Sequence, residues 1–163
     1  MLFPQLSGLP IRVEFVPRLR DRHGAVHAGA FLRQRRICFE DELKRDRREF
    51  SRVFVHELFH FVWLRLGNQK RHDYERLLAA EFRSRARGEL GWSAEWRKDA
   101  LARRDRLART RKWREYVCES FCDTAAWILA EMEDHPECTL AARFRRGRRW
   151  WFSEFILRRE LSI

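Results

Sequence analysis

Apolar and polar residues alternate along Ile11–Val16 (IRVEFV), the pattern of a half-buried β-strand, and Pro17 closes the run. Val26–Leu32 and Arg36–Phe39 read as two further short strands. Gly8, Pro10, Pro17, Gly24 and Gly29 put most of the turn-forming residues in the same early stretch, and Arg18–Gly24 reads as a charged turn. From Asp46 the spacing becomes helical. Asp46 suits an N-cap, with Glu49 three residues on as in a capping box. The helix runs over Arg47–Leu66, and Gly67 suits its C-cap. Its second half is apolar on nearly every face, so it belongs in the centre of the fold. A second helix is expected over His72–Arg87, ended by Gly88 and Gly91. Between Ser93 and Asp134 there is neither Gly nor Pro. That is too long for one globular helix, so a break is expected near Ala108–Lys112, with a helix over Trp113–Glu131 after it. A last helix is expected over Thr139–Leu161, interrupted at Gly147. Strands first and helices afterwards make an α+β fold: a small, twisted N-terminal sheet of about three strands on the buried helix, then a helical C-terminal part.

Composition narrows this picture. The 163 residues make one domain's worth of chain. With 45% hydrophobic and 13% aromatic residues, a disordered chain is excluded. The longest apolar run, Val53–Leu66, is broken by His56, Glu57, His60 and Arg65, so no membrane-spanning helix is expected. The N-terminus has no basic leader followed by an apolar stretch, which makes the cytoplasm the expected compartment. There Cys38, Cys118, Cys122 and Cys138 are expected as reduced thiols; a Cys-rich metal site joining Cys118 and Cys122 to Cys38 or Cys138 is the alternative. Lys and Arg number 35 against 24 acids, a net charge of +11, and only Lys44, Lys70, Lys98 and Lys112 are lysine. Such a surface attracts nucleic acid or other polyanions, although charge runs are commonly solvated helix faces. Arg143–Arg149 with Trp150 and Trp151 is the most basic-aromatic stretch, while tryptophans in general are expected to fill helix contacts. His23, His27 and His135 read as surface residues.

The chemistry lies in the central helix. His56-Glu57-Leu58-Phe59-His60 spells H-E-x-x-H. Two histidines four apart lie one turn apart on one face, so both imidazoles reach one metal ion, with Glu57 beside them as a general base. Buried in an apolar segment without a metal, these groups would lack partners. Tetrahedral zinc in a hydrolase takes three protein ligands and leaves a place for water. Downstream, Glu119 and Asp123 share one helical face among apolar and small residues. A buried carboxylate needs a counter-charge, which zinc supplies at Glu119. Asp123 could then accept the ring N–H of a ligating histidine. Cys118 and Cys122 share the neighbouring face.

HELFH followed far downstream by E-x-x-x-D on another helix resembles the gluzincin clan of zinc metallopeptidases, in its minimal single-domain versions. The resemblance covers about residues 25–67 and 113–131. It implies that His56, His60 and Glu119 bind one zinc ion, that Glu57 is the general base, that Asp123 supports a ligand, and that a peptide or protein is the substrate. The long stretch between His60 and Glu119 leaves Glu81 open as third ligand. The run HELFHFVWLRLGNQKRH is also similar to the SprT-like family, which acts on DNA-associated proteins. There the third ligand would be His72, but the usual Gly after it is absent. A metzincin extension is missing. Tyr74 and Tyr116 are the candidates to help stabilise an oxyanion. The strand Val26–Leu32 or Arg36–Phe39 could offer an edge to an extended peptide. The expected function is zinc-dependent peptide hydrolysis. The alternatives are a nucleic-acid-associated protein on a zincin scaffold and a catalytically silent zincin-fold regulator.

Overall fold

A computed structural model describes residues 3–21 and 24–163; His23 lies outside them. The strands are β1 (Leu6–Ser7), β2 (Arg12–Val16), β3 (Arg20–Asp21), β4 (Gly24–Ala25), β5 (Ala28–Phe31), β6 (Arg36–Glu40) and β7 (Leu161–Ser162). The three strands read from the sequence form one sheet in the order β2-β6-β5. β2 pairs with β6 in parallel and β5 with β6 antiparallel, so β6 is central and β5 is an edge. Ile37 and Phe39 on β6 are fully buried and pack with Leu58 and Phe61 of the central helix. Two short ladders were not legible in the sequence. β3 pairs with β4, and β1 pairs in parallel with β7, which replaces the expected end of the last helix.

The helices are α1 (Arg47–Arg65), α2 (Asn68–Arg83), α3 (Trp92–Asp99), α4 (Arg103–Leu107), α5 (Arg111–Leu129) and α6 (Ala142–Phe152), the last prolonged by a wider turn at Ser153–Leu157. Asp46 caps α1 as its sequence implies: Oδ1 accepts from the backbone N–H of Arg48 and Glu49, each at 2.9 Å. The capping box does not close, because the Glu49 carboxylate is held by Arg52 at 2.5 and 2.9 Å. Gly67 is not a left-handed C-cap either. Its φ is −59°, and α2 begins at the next residue, four positions earlier than expected. The break near Ala108 is present, with Arg109 left-handed at φ 46°. A second break at Ala100–Ala102 was missed. Gly147 lies inside α6 and does not interrupt it. Among the described residues, no helix is long and apolar enough to cross a membrane.

The main core joins α1, α2, α5 and α6 around Phe59, Tyr74, Phe121, Trp151 and Phe152. Phe121 stands at its centre, 4.9 Å from Phe152 and 5.0 Å from Trp63 between ring centroids. Trp113, Trp127 and Trp151 are buried, whereas Trp92, Trp96 and Trp150 are exposed. The core also holds a charge. Arg148, read from the sequence as part of a basic surface run, is fully buried. Its guanidinium meets Glu81 at 2.7 Å and Glu89 at 2.6 Å and donates to Ser120 Oγ at 2.9 Å. Lys98 adds a second cation to Glu89 at 3.0 Å.

Candidate metal centre

The site forms where α1 crosses α5. The apolar faces of both helices bury against each other, which carries the few polar residues on those faces inward. His56 and Glu57 are buried and His60 is nearly so. Donor atoms of His56, Glu57 and His60 lie within 4.8 Å of one another, so these three could together hold a metal ion. From α5, Glu119 Oε2 lies 3.3 Å from His56 Nε2 and 3.9 Å from His60 Nε2. Donors at zinc–ligand lengths of about 2.0–2.2 Å around a tetrahedral ion stand about 3.4 Å apart. The two spacings from Glu119 Oε2 to the imidazoles are therefore close to what ligands of one ion require.

Each ligand candidate is held from behind. Asp123 Oδ1 meets His56 Nδ1 at 2.7 Å, which turns Nε2 toward Glu119. Cys118 Sγ lies 3.5 Å from His60 Nδ1 and does the same for the second imidazole. Arg97 of α3 meets the outer oxygen of Glu119, Oε1, at 3.1 Å, leaving Oε2 to face both histidines. The other oxygen of Asp123 accepts from Ala94 N–H at 2.9 Å, so a carboxylate from α5 caps the first turn of α3. Gly91 makes this approach feasible. A Cβ there would sit 2.4 Å from the Asp123 carboxyl carbon. Gly91→Ala is accordingly expected to push Asp123 and α3 apart, costing about 1–3 kcal/mol of stability. It should also lower metal affinity about 10–100-fold, as loss of an outer partner does. Asp123→Asn should match the affinity loss. Chelator-competition titration checks both, and unchanged affinity in Gly91→Ala would contradict the role given to this contact.

The electrostatics show cationic charge gathered where an ion would sit. Burial alone would lower the pKa of His56, but the charge and hydrogen bond of Asp123, with Glu119, raise it well above the ordinary value. Burial opposes the charged form of His60 too; Cys118, Glu119 and Glu57 outweigh it and bring its pKa to about 9. Burial pushes the Glu119 carboxyl up, yet the histidines and Arg97 pull it down to about 2. The Cys118 thiol, bonded by Cys122 and facing His60, falls to about 6. Asp123 with Glu119 thus favours the charged form of His56, and Cys118 with Glu119 that of His60; a divalent cation can take over that charge.

A cleft of about 430 Å³ opens onto His56 and Glu57. One wall is Ala25–Ala28, which leads into the edge strand β5; Val53 and the exposed Trp92 lie along it as well. Arg52 and Glu137, which also line it, are tied to each other at 3.1 Å. The other sequence candidates fall elsewhere. Glu81 is held by Arg148. Tyr74 and Tyr116 are fully buried and hydrogen-bonded, Tyr74 to Thr124 at 2.9 Å and Tyr116 to Glu89 at 2.6 Å. Neither tyrosine lines the cleft. His72 lines a separate pocket with Gln69, Glu75 and Arg109. Cys38 and Cys138 do not join Cys118 and Cys122: Cys38 contacts Glu14 and Cys138 accepts from Arg145. His27 is exposed and bonded to Glu40, while His135 is half-buried against Glu49. Arg97 and Gly91 were missed. The only sequence signal for them was the punctuation by Gly88 and Gly91, which marks a helix start without saying what it touches. Compared with protein-family models, curated proteins and solved structures, the chain finds no match.

Proposed function

We propose that the chain is a zinc-dependent metallopeptidase of gluzincin type, with His56, His60 and Glu119 as ligands and Glu57 as general base. The observation that carries this reading is the convergence of both Nε2 atoms on Glu119 Oε2 from two separate helices, each donor held from behind. Zinc suits two imidazoles and one carboxylate, and when bound it would supply a Lewis acid that polarises a carbonyl and acidifies water. The remaining steps belong to the chain. An extended peptide docks along Ala25–Ala28 and β5 by main-chain pairing, its carbonyl beside His56 and Glu57. Glu57 takes a proton from the attacking water and passes it to the leaving amine nitrogen. Asp123 holds the Nδ1 proton of His56 throughout. Arg97 holds Oε1 of Glu119, and the buried tyrosines take no part in the reaction.

His72 and Glu81 have no part in this reading, and the DNA-linked substrate class that would accompany a His72 ligand is not adopted. His56→Ala or His60→Ala is expected to abolish stoichiometric zinc binding, and Glu119→Ala to lower affinity steeply and destabilise the fold, since metal binding contributes folding energy. His72→Ala should leave the metal untouched. Metal analysis after gel filtration decides this. Full zinc in either histidine variant, or loss of zinc in His72→Ala, contradicts the assignment.

A further inference from the structure

His60 turns its two ring nitrogens toward two different donor sets. Nε2 faces Glu119, whereas Nδ1 faces Cys118 Sγ at 3.5 Å. Cys122 follows Cys118 by one turn on the same face of α5. One donor atom from each of His60, Cys118 and Cys122 lies within 4.8 Å of the others. Around a three-coordinate ion at about 2.0–2.3 Å, two sulfurs and a nitrogen stand about 3.5–4 Å apart, so little movement would be needed. His60 and Cys118 are half-buried and form the outer side of the cluster, while Cys122 is fully buried and closes the inner side. Two thiolates and one imidazole form a soft donor set, which selects Cu(I) over hard divalent ions. Three donors also match a zinc site with an open position; the preference for Cu(I) rests on the two soft thiolates and on a three-coordinate shell.

We propose that His60 Nδ1, Cys118 Sγ and Cys122 Sγ form a Cu(I) site that competes with zinc for His60. Binding is coordination without electron transfer: Cu(I) stays Cu(I), both thiols and His60 Nδ1 release their protons to solvent, and His60 is left neutral with one proton on Nε2. A neutral imidazole offers one lone pair. Once Nδ1 ligates copper, Nε2 carries the proton and cannot hold zinc. Cu(I) at this site therefore removes a zinc ligand and shuts the hydrolytic site. This exclusion rests on the proposed zinc reading; the copper site itself does not.

Anaerobic titration of the whole chain with chelator-buffered Cu(I) tests the proposal, read by thiolate-to-copper absorption and by copper X-ray absorption. One Cu(I) per chain with two sulfurs and one nitrogen is expected. Cys122→Ala should weaken binding by about 100-fold or more, beyond the 10–100-fold typical of an outer partner. Cys118→Ala, at a half-buried position, should do the same if the Cys122 variant does not fold. A copper shell lacking two sulfurs, or undiminished affinity in a folded variant, overturns the site. Zinc added first should be released as copper binds. Zinc retained at one per chain beside copper overturns the exclusion. If the chain takes up copper on two sulfurs but never binds zinc, the zinc reading fails and the copper site stands.

Discussion

Glu57→Gln is expected to keep one zinc ion per chain and to lower peptide hydrolysis by about 10²–10⁴-fold, the range that a positioned general base contributes. The amide is isosteric, so the crossing of α1 and α5 and the ligand spacing should persist, while the group that accepts the water proton is gone. Glu57 lies in the cleft beside His56, whereas Glu119 reaches both Nε2 atoms from the opposite helix. On the proposed reading, that division makes Glu57 the base and Glu119 the ligand, although the Glu57 carboxylate also lies within 4.8 Å of donor atoms of both histidines. Turnover of a mixed peptide pool, measured with metal content on the same sample, reads both. Unchanged turnover refutes the role of Glu57. Loss of the metal would make Glu57 a ligand instead.

Arg148→Met should give the largest loss of stability, about 3–5 kcal/mol, because removing one partner of a buried ion network leaves the others uncompensated. Here Glu81 and Glu89 would remain in the core, with Lys98 reaching only Glu89. The exposed neighbour Arg146 should tolerate Ala within about 0.5 kcal/mol. The pH dependence carries a sign. Burial would raise the Glu89 pKa, but Arg148, Lys98 and the Tyr116 hydroxyl outweigh it and hold it below the ordinary 4.5. A depressed carboxylate stabilises the fold fully above that ordinary value and loses its contribution as pH falls through the folded value. The wild-type chain should therefore weaken in acid. In Arg148→Met, protonation of the stranded glutamates relieves the defect, so the gap between the two proteins should narrow below 4.5. Urea unfolding across pH shows this, and a gap that widens in acid would contradict it.

What the sequence disclosed was local. The α1 helix, its Asp46 cap and the pairing of His56 with His60 follow from spacing along one helix. Glu119 and Asp123 were found the same way, because four-residue spacing on an apolar stretch marks a shared inward face. Contacts between elements were not legible. Arg148 looked like one of a surface run. Its spacing from Phe144, Trp151 and Phe152 put it on the apolar stripe of α6, a signal outweighed by its charged neighbours. Tyr74 and Tyr116 were rare polar aromatics and so looked functional; their hydroxyls satisfy the core network. Gly67 looked like a C-cap because a helix ends there. The chain instead passes straight into α2, so a left-handed residue was not needed. The short β1–β7 ladder joins residues from the two ends of the described chain, and no local pattern foretells such a pairing.

The central claim is the ligand set, and X-ray absorption at the zinc edge of the zinc-loaded chain tests it most directly. The account predicts two imidazole nitrogens and oxygen neighbours at about 2.0–2.2 Å, with no sulfur. A sulfur shell at about 2.3 Å would place the ion on Cys118 and Cys122 and contradict the account, as would a chain that binds no zinc at all.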